Sequence, residues 1–312
     1  MSIATEIEQL QKNLTDSYAA VQTKGGTVPT AKGYTNLPAA ITSIPTGGGG
    51  PAWSDPHQVD TAGRLTLGNT GVANFAGIKT IADKALWRCN LRNSAVTEAL
   101  FPDLEVVEDS EITSYSDALT TASALGEAFL SASALTTFQT PKLRKIGKGG
   151  LSRVMALSKN VENVFVENAE TGYLEMFPEL VEVGDFGLLE AFRWTKILQY
   201  AANNAPDAII VFPKLKTLGV QAMRTAFGGE HSDDSFPESP DGLPVALYFP
   251  ALTTVDPSSF KNMLYYHNGS GSLELHFLST MEATITACAG YPSFGASGST
   301  NVSVYFDAEN LA

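Results

Sequence analysis

The sequence predicts an α/β repeat array, with a strand and a short helix in each unit stacked as a solenoid, behind a separate N-terminal helical segment. Two patterns carry this expectation. Five times a short apolar run meets a proline and reads Pro-x-Leu-x-x-(Val/Ile/Leu): FPDLEVV at Phe101, TPKLRKI at Thr140, FPELVEV at Phe177, FPKLKTL at Phe212 and FPALTTV at Phe249. Their prolines follow one another at 39, 37, 35 and 37 residues, the scale on which a unit closes its core only by stacking on a neighbour. The second pattern is an apolar stripe near the start, distinct in rhythm from everything downstream.

That stripe places Ile3, Ile7, Leu10, Leu14 and Val21 at heptad spacing, with Ser17 in the intervening slot. It fits either one amphipathic helix packed on its own hairpin or a short oligomerising stem. No other large apolar face lies nearby, which favours the stem, and isoleucine at both kinds of seam position favours three strands. Gly25 and Gly26 end the helix, and a short second helix is expected after Asn36, with Pro38 in its first turn. The run PTGGGGP reads as a linker, giving segments 1–46, 47–51, a transition at 52–74 and an array over 75–312.

The helix, the turn KGGTVP, then YTNLPAAITSI and a glycine run resemble the N-terminal attachment segment of tailed-bacteriophage fibre and virion-appendage proteins. The resemblance covers about fifty residues and implies docking on a virion through the N-terminus, with the remainder displayed.

Within the array, strands are expected at NTGVANF, VTEALF, LTTFQT, TGYLEMF, AIIVF, PVALYF, SLELHF and NVSVYF, several of which alternate apolar and polar residues. Each unit then repeats a set of offsets. Four residues after Ile81, Ile146, Val183, Leu218 or Val255 stands a small residue, except that the unit at Phe101 carries Glu111 there. Five residues after comes a large apolar one and eight after another of buried type, which fits one face of a short helix. IADKALWRCNL, VDPSSFKNML and LGVQAMRTA are similar to the BspA-like leucine-rich repeats of bacterial surface proteins. That resemblance implies a leucine-rich-repeat solenoid, whose roughly ten extra residues per central unit emerge as loops or added helix on one side.

Charge and composition narrow the function. A formal net charge of −13 opposes duplex binding, because phosphate affinity needs clustered Lys and Arg. No apolar run reaches about 18 residues, so no membrane insertion is expected, and no secretory leader is visible. Cys89 and Cys288 read as small buried hydrophobes. The four histidines His57, His231, His267 and His276 lack zinc-ligand spacing, and no metal or other cofactor is expected. The insertion GGEHSDDSFPESPDG concentrates Glu230, Asp233, Asp234, Glu238 and Asp241 without the EF-hand pattern. It reads as a solvated recognition loop, with calcium as the sharper alternative. His231, Asp233, Asp234 and Glu238 there, with Tyr265, Tyr266 and His267, are the candidate receptor-binding residues. Trp53, Trp87 and Trp194 either fill the core or line a saccharide platform.

These readings combine into a non-enzymatic phage virion protein, fibre or appendage. It is made in the host cytoplasm and assembled as a homotrimer that joins other virion proteins through its N-terminus. It would bind a host-surface protein or glycan by multivalent adhesion. A bacterial adhesin of the same repeat family is the alternative. A glycan depolymerase would need paired acids in a groove, which the sequence does not place.

Overall fold

The computed structural model describes residues 11–18, 21, 28–30, 32–42, 58–59, 65–66, 70–83, 85–86, 95–120, 125–130, 132–229, 240, 242–265, 267, 272–296 and 301–311. The chain divides into two compact units, Met1–Trp53 and Ser54–Ala312.

In the first unit, residues 11–18 and 21 are helical, and a short helix α1 (Leu37–Thr42) begins directly after Asn36. Tyr18, Val21 and Ala40 form a buried cluster against which Leu14, Val28 and Leu37 pack, and the Tyr18 hydroxyl donates to the Gly33 carbonyl at 2.7 Å. The apolar face therefore runs Leu14, Tyr18, Val21 and is covered by the chain's own later residues. This corrects the expected three-stranded coiled coil: no long helix for it exists among the described residues, and Leu14 and Val21 are already occupied. Ile3, Ile7 and Leu10 lie outside the described residues.

The second unit is built from short strands: β1 (Gln58–Val59), β2 (Leu65–Thr66), β3 (Thr70–Asn74), β4 (Thr80–Ile81), β5 (Ala95–Leu100), β6 (Val106–Val107), β7 (Thr137–Gln139), β8 (Lys145–Ile146), β9 (Phe165–Glu167), β10 (Leu174–Met176), β11 (Glu182–Val183), β12 (Ile209–Val211), β13 (Thr217–Leu218), β14 (Val245–Phe249), β15 (Thr254–Val255), β16 (Ser272–Phe277) and β17 (Asn301–Tyr305). They form an antiparallel pair, β1–β2, and three mostly parallel sheets ordered β3-β5-β7, β4-β6-β8-β11-β13-β15 and β9-β10-β12-β14-β16-β17. Each apolar run read as a strand in the array is one. The Pro-x-Leu-x-x-(Val/Ile/Leu) motif then makes a second strand, which pattern reading missed. Its leucines Leu104, Leu143, Leu180, Leu215 and Leu252 are fully buried. Each such burial stabilises by about 1.5–3 kcal/mol. The phenylalanines that close the first strands stack between neighbours, Phe212 on Phe249 at 5.0 Å and Phe249 on Phe277 at 5.1 Å between ring centroids.

The described helices of this unit are few and sit in insertions or near the end: α2 (Tyr115–Thr120), α3 (Ile197–Asn204) and α4 (Glu282–Thr286). The expected leucine-rich-repeat solenoid of strand-plus-helix units is thereby overturned. In the units after Ile146, Val183 and Leu218, where a helix was expected, the backbone makes consecutive turns, with a left-handed residue every fourth position: Gly149, Arg153 and Leu157; then Phe186, Glu190 and Trp194; then Gln221 and Thr225. Hydrogen bonding explains why this arrangement holds. The amides of Gly150, Ser152 and Val154 bond back three residues, while those of Gly149, Leu151 and Arg153 donate to the carbonyls of Asp185, Gly187 and Leu189 in the next unit. The pattern repeats one unit on, with Phe186, Leu188, Glu190 and Phe192 donating to Val220, Ala222, Arg224 and Ala226. A turn of period four buries the residues four, five and eight positions along just as a helix does, so the offsets are common to both.

Non-glycine residues at positive φ cost roughly 1–2 kcal/mol each, offset here because most amides in these turns have a backbone acceptor. The column Gly147, Gly184, Gly219 sets the spacing between units. A Cβ on Gly184 would stand 2.8 Å from the Lys148 nitrogen and 3.0 Å from the Gly147 carbonyl carbon. Gly184→Ala is expected to destabilise the second unit by about 1–3 kcal/mol, read as a lower urea midpoint at unchanged slope. An unchanged midpoint would mean that the backbones do not approach this closely.

Candidate functional site

The turns form a ridge on which side chains at one repeat offset meet across units. Seven residues past Ile146 stands Arg153, and seven past Val183 stands Glu190, so opposite charges face each other in adjacent units. Arg153 Nη1 lies 2.7 Å from Glu127 Oε1 and its Nε 3.6 Å from Glu190 Oε2, which Arg193 Nη1 also approaches at 3.3 Å. The Tyr115 hydroxyl, on the first residue of α2, donates to Glu190 Oε1 at 3.3 Å. The Arg224 guanidinium lies over the Tyr115 ring, its Cζ 3.4 Å from the centroid, and donates to Gln221 Oε1 at 2.8 Å. Glu127 and Glu190 are both buried, so these charges interact with little screening from water.

Two cavities open on this ridge. The larger, of about 490 Å³, is lined by Trp194, Phe192, Phe227, Asn160, Gln199 and His267 among others. The Trp194 indole sits with the Arg193 guanidinium over its ring at 4.9 Å and the Lys159 ammonium at 5.8 Å. Its Nε1–H is buried and has no acceptor among the described residues. The smaller cavity, of about 300 Å³, is lined by Tyr115, Glu190, Arg193, Arg224, Asn262 and Tyr265, together with Thr225. Both volumes reach the range of small-molecule sites, roughly 300–1,000 Å³.

Of the candidate receptor-binding residues, Tyr265 is 43% exposed and lines the smaller cavity. His267 is buried instead of exposed. Its Nε2 lies 2.9 Å from the Phe227 carbonyl oxygen, which makes Nε2 the donor, and it lines the larger cavity. His231, Asp233, Asp234, Glu238 and Tyr266 lie outside the described residues, as do Glu230 and Asp241, and with them the calcium alternative for the acidic insertion, and Trp53, Trp87, Cys89 and His57. Cys288 is buried, and burial pushes its thiol up to about 11, so no thiolate forms near neutral pH. Among the described residues no group of three or more His, Cys, Asp or Glu is placed to hold a metal ion, and no helix is long and apolar enough to cross a membrane.

Sequence reading missed Arg153, Glu190, Arg193, Arg224 and Tyr115. The signal was present: charged residues recur at the sixth or seventh place after the motif in three successive units, where a purely apolar array has no use for them. No family model, curated protein or solved structure matches the chain.

Burial, then the charge of Glu190, raises the Tyr115 hydroxyl above its ordinary value of 10.0. The folded chain thus keeps this proton when the unfolded chain loses it, and the stability it contributes falls as the pH climbs past 10.0. Tyr115→Phe is expected to flatten the decline of the unfolding midpoint above that pH. A decline of equal steepness in the variant would remove Tyr115 from the cluster.

Proposed function

We propose that this chain is a non-enzymatic binding protein of a phage virion, a fibre or appendage component that adheres to a host-surface glycan. The observation that carries the adhesive part is the cavity beside Trp194. An indole N–H with no acceptor among the described residues, two amide side chains and the half-buried Trp194 ring combine hydrogen-bonding groups with aromatic surface, the chemistry that holds a sugar's hydroxyls and its apolar face. The cavity stands on turns tied unit to unit by backbone hydrogen bonds, so its walls need little ordering when a ligand arrives.

The virion part of the proposal rests on the resemblance of the first fifty or so residues to phage attachment segments. In this reading residues 1–46 attach the chain to other virion proteins in several copies, and modest affinity at each cavity becomes avidity when the copies are tethered together. The net charge of −13 keeps crowded copies apart.

The test is the full-length chain on an array of bacterial surface polysaccharides, with its mass in solution measured by light scattering. Retention of a defined glycan by an assembly of several chains is expected. Trp194→Phe, which keeps the apolar bulk and removes the N–H, should weaken retention roughly tenfold. Equal retention by the variant, or none by the parent, would contradict the adhesive assignment. A single-chain mass would contradict the multivalent part.

A further inference from the structure

The smaller cavity carries an inference that goes beyond glycan binding at Trp194. We infer that it is a site for an acidic saccharide, whose carboxylate pairs with Arg224 and Arg193.

The observation that marks the site is Arg224. Glu190 is shared by Arg153, Arg193 and the Tyr115 hydroxyl, and Glu127 faces Arg153. Arg224 meets no carboxylate among the described residues. Its contacts there are one neutral amide, Gln221, and the face of Tyr115, and its buried Nε–H has no acceptor among them. A partly buried guanidinium stacked on a ring is held in one plane. Such a group keeps its fork of N–H donors aimed and loses little freedom when a planar carboxylate docks on it.

The remaining lining decides between a bare ion and a larger molecule. At about 300 Å³ the cavity exceeds what a lone oxyanion fills. Around it stand Asn262, Thr225 and the phenols of Tyr115 and Tyr265, all donors or acceptors suited to hydroxyl groups. Glu190 also faces the space, and its negative charge opposes an anion; the two arginines already beside it neutralise most of that opposition. The same carboxylate accepts hydroxyl donors, which a sugar acid has and a halide or sulfate lacks.

The experiment is calorimetric titration of the full-length chain with glucuronate, with glucose as the uncharged counterpart and inorganic phosphate as the bare oxyanion. Glucuronate is expected to bind at least about tenfold more tightly than either, and more weakly as salt is raised. Arg224→Gln should lower glucuronate affinity about tenfold or more while leaving glucose unchanged. Equal binding of glucose and glucuronate would overturn the proposal. Phosphate binding as tight as glucuronate would replace it with a simple oxyanion site. Undiminished glucuronate affinity in R224Q would remove Arg224 from it. The parent-protein comparison decides the matter even where R224Q does not fold. Titrating Trp194→Phe in parallel keeps the two sites apart: glucuronate binding that survives in it belongs to the smaller cavity, so failure of the adhesive reading and failure of this one are separable.

Discussion

The interaction on which the second unit depends is a backbone hydrogen bond from each turn to the unit beside it. Within one unit a turn closes only every second amide, as Gly150, Ser152 and Val154 do by bonding back three residues. The other amides point along the stack and would be buried without partners if the neighbour were absent, at roughly 1–3 kcal/mol for each. Glycines at positions 147, 184 and 219 follow from the same constraint, because backbones that bond this closely leave no room for a Cβ. The left-handed residues follow too, since each one turns the chain so that the next amide again faces the neighbour. Packing then adds to what the hydrogen bonds impose: leucine and phenylalanine columns sit at the same height in unit after unit.

Part of this order was legible in the amino-acid sequence. The Phe-Pro junctions and the alternation before them located the long strands, and recurrence of the leucines marked a shared interior. The connection between strands was misread for a physical reason. Gly150, Leu151 and Val154 are buried by a four-residue turn just as by a helix, and only the destination of the amides separates the two. Nothing in a side-chain pattern reports where an amide points. At the N-terminus the heptad rhythm misled in a similar way. Assigning the weak slot to Ser17 suggested a seam open to partners, while the buried residue is Tyr18, one place along, covered by Ala40 and Leu37.

The ridge shows how such a stack acquires a site. Because successive turns lie in register, one substitution per unit is enough to place Arg153, Glu190 and Arg224 beside one another, although 71 residues separate the first from the last. Surface pairs between units, such as Lys142–Asp103 at 2.8 Å and Lys214–Glu179 at 2.6 Å, use the same register but contribute only about 0.2–1 kcal/mol each. The buried cluster differs in kind, since its charges are held apart from water and organise two cavities. Trp194 was legible as a candidate because an aromatic ring either fills a core or stacks on a sugar. The arginines beside it were not, because their meaning lies in the register between units and not in any local motif.

The most direct measurement is the through-hydrogen-bond scalar coupling in the NMR spectrum of the isotopically labelled chain, which reports the carbonyl each amide actually reaches. The Leu188 amide should couple to the Ala222 carbonyl, with which it makes a 2.8 Å hydrogen bond. Coupling of Leu188 to Gly184 would instead establish a helical turn, and the stack of tied turns, with the cavities that depend on it, would be wrong.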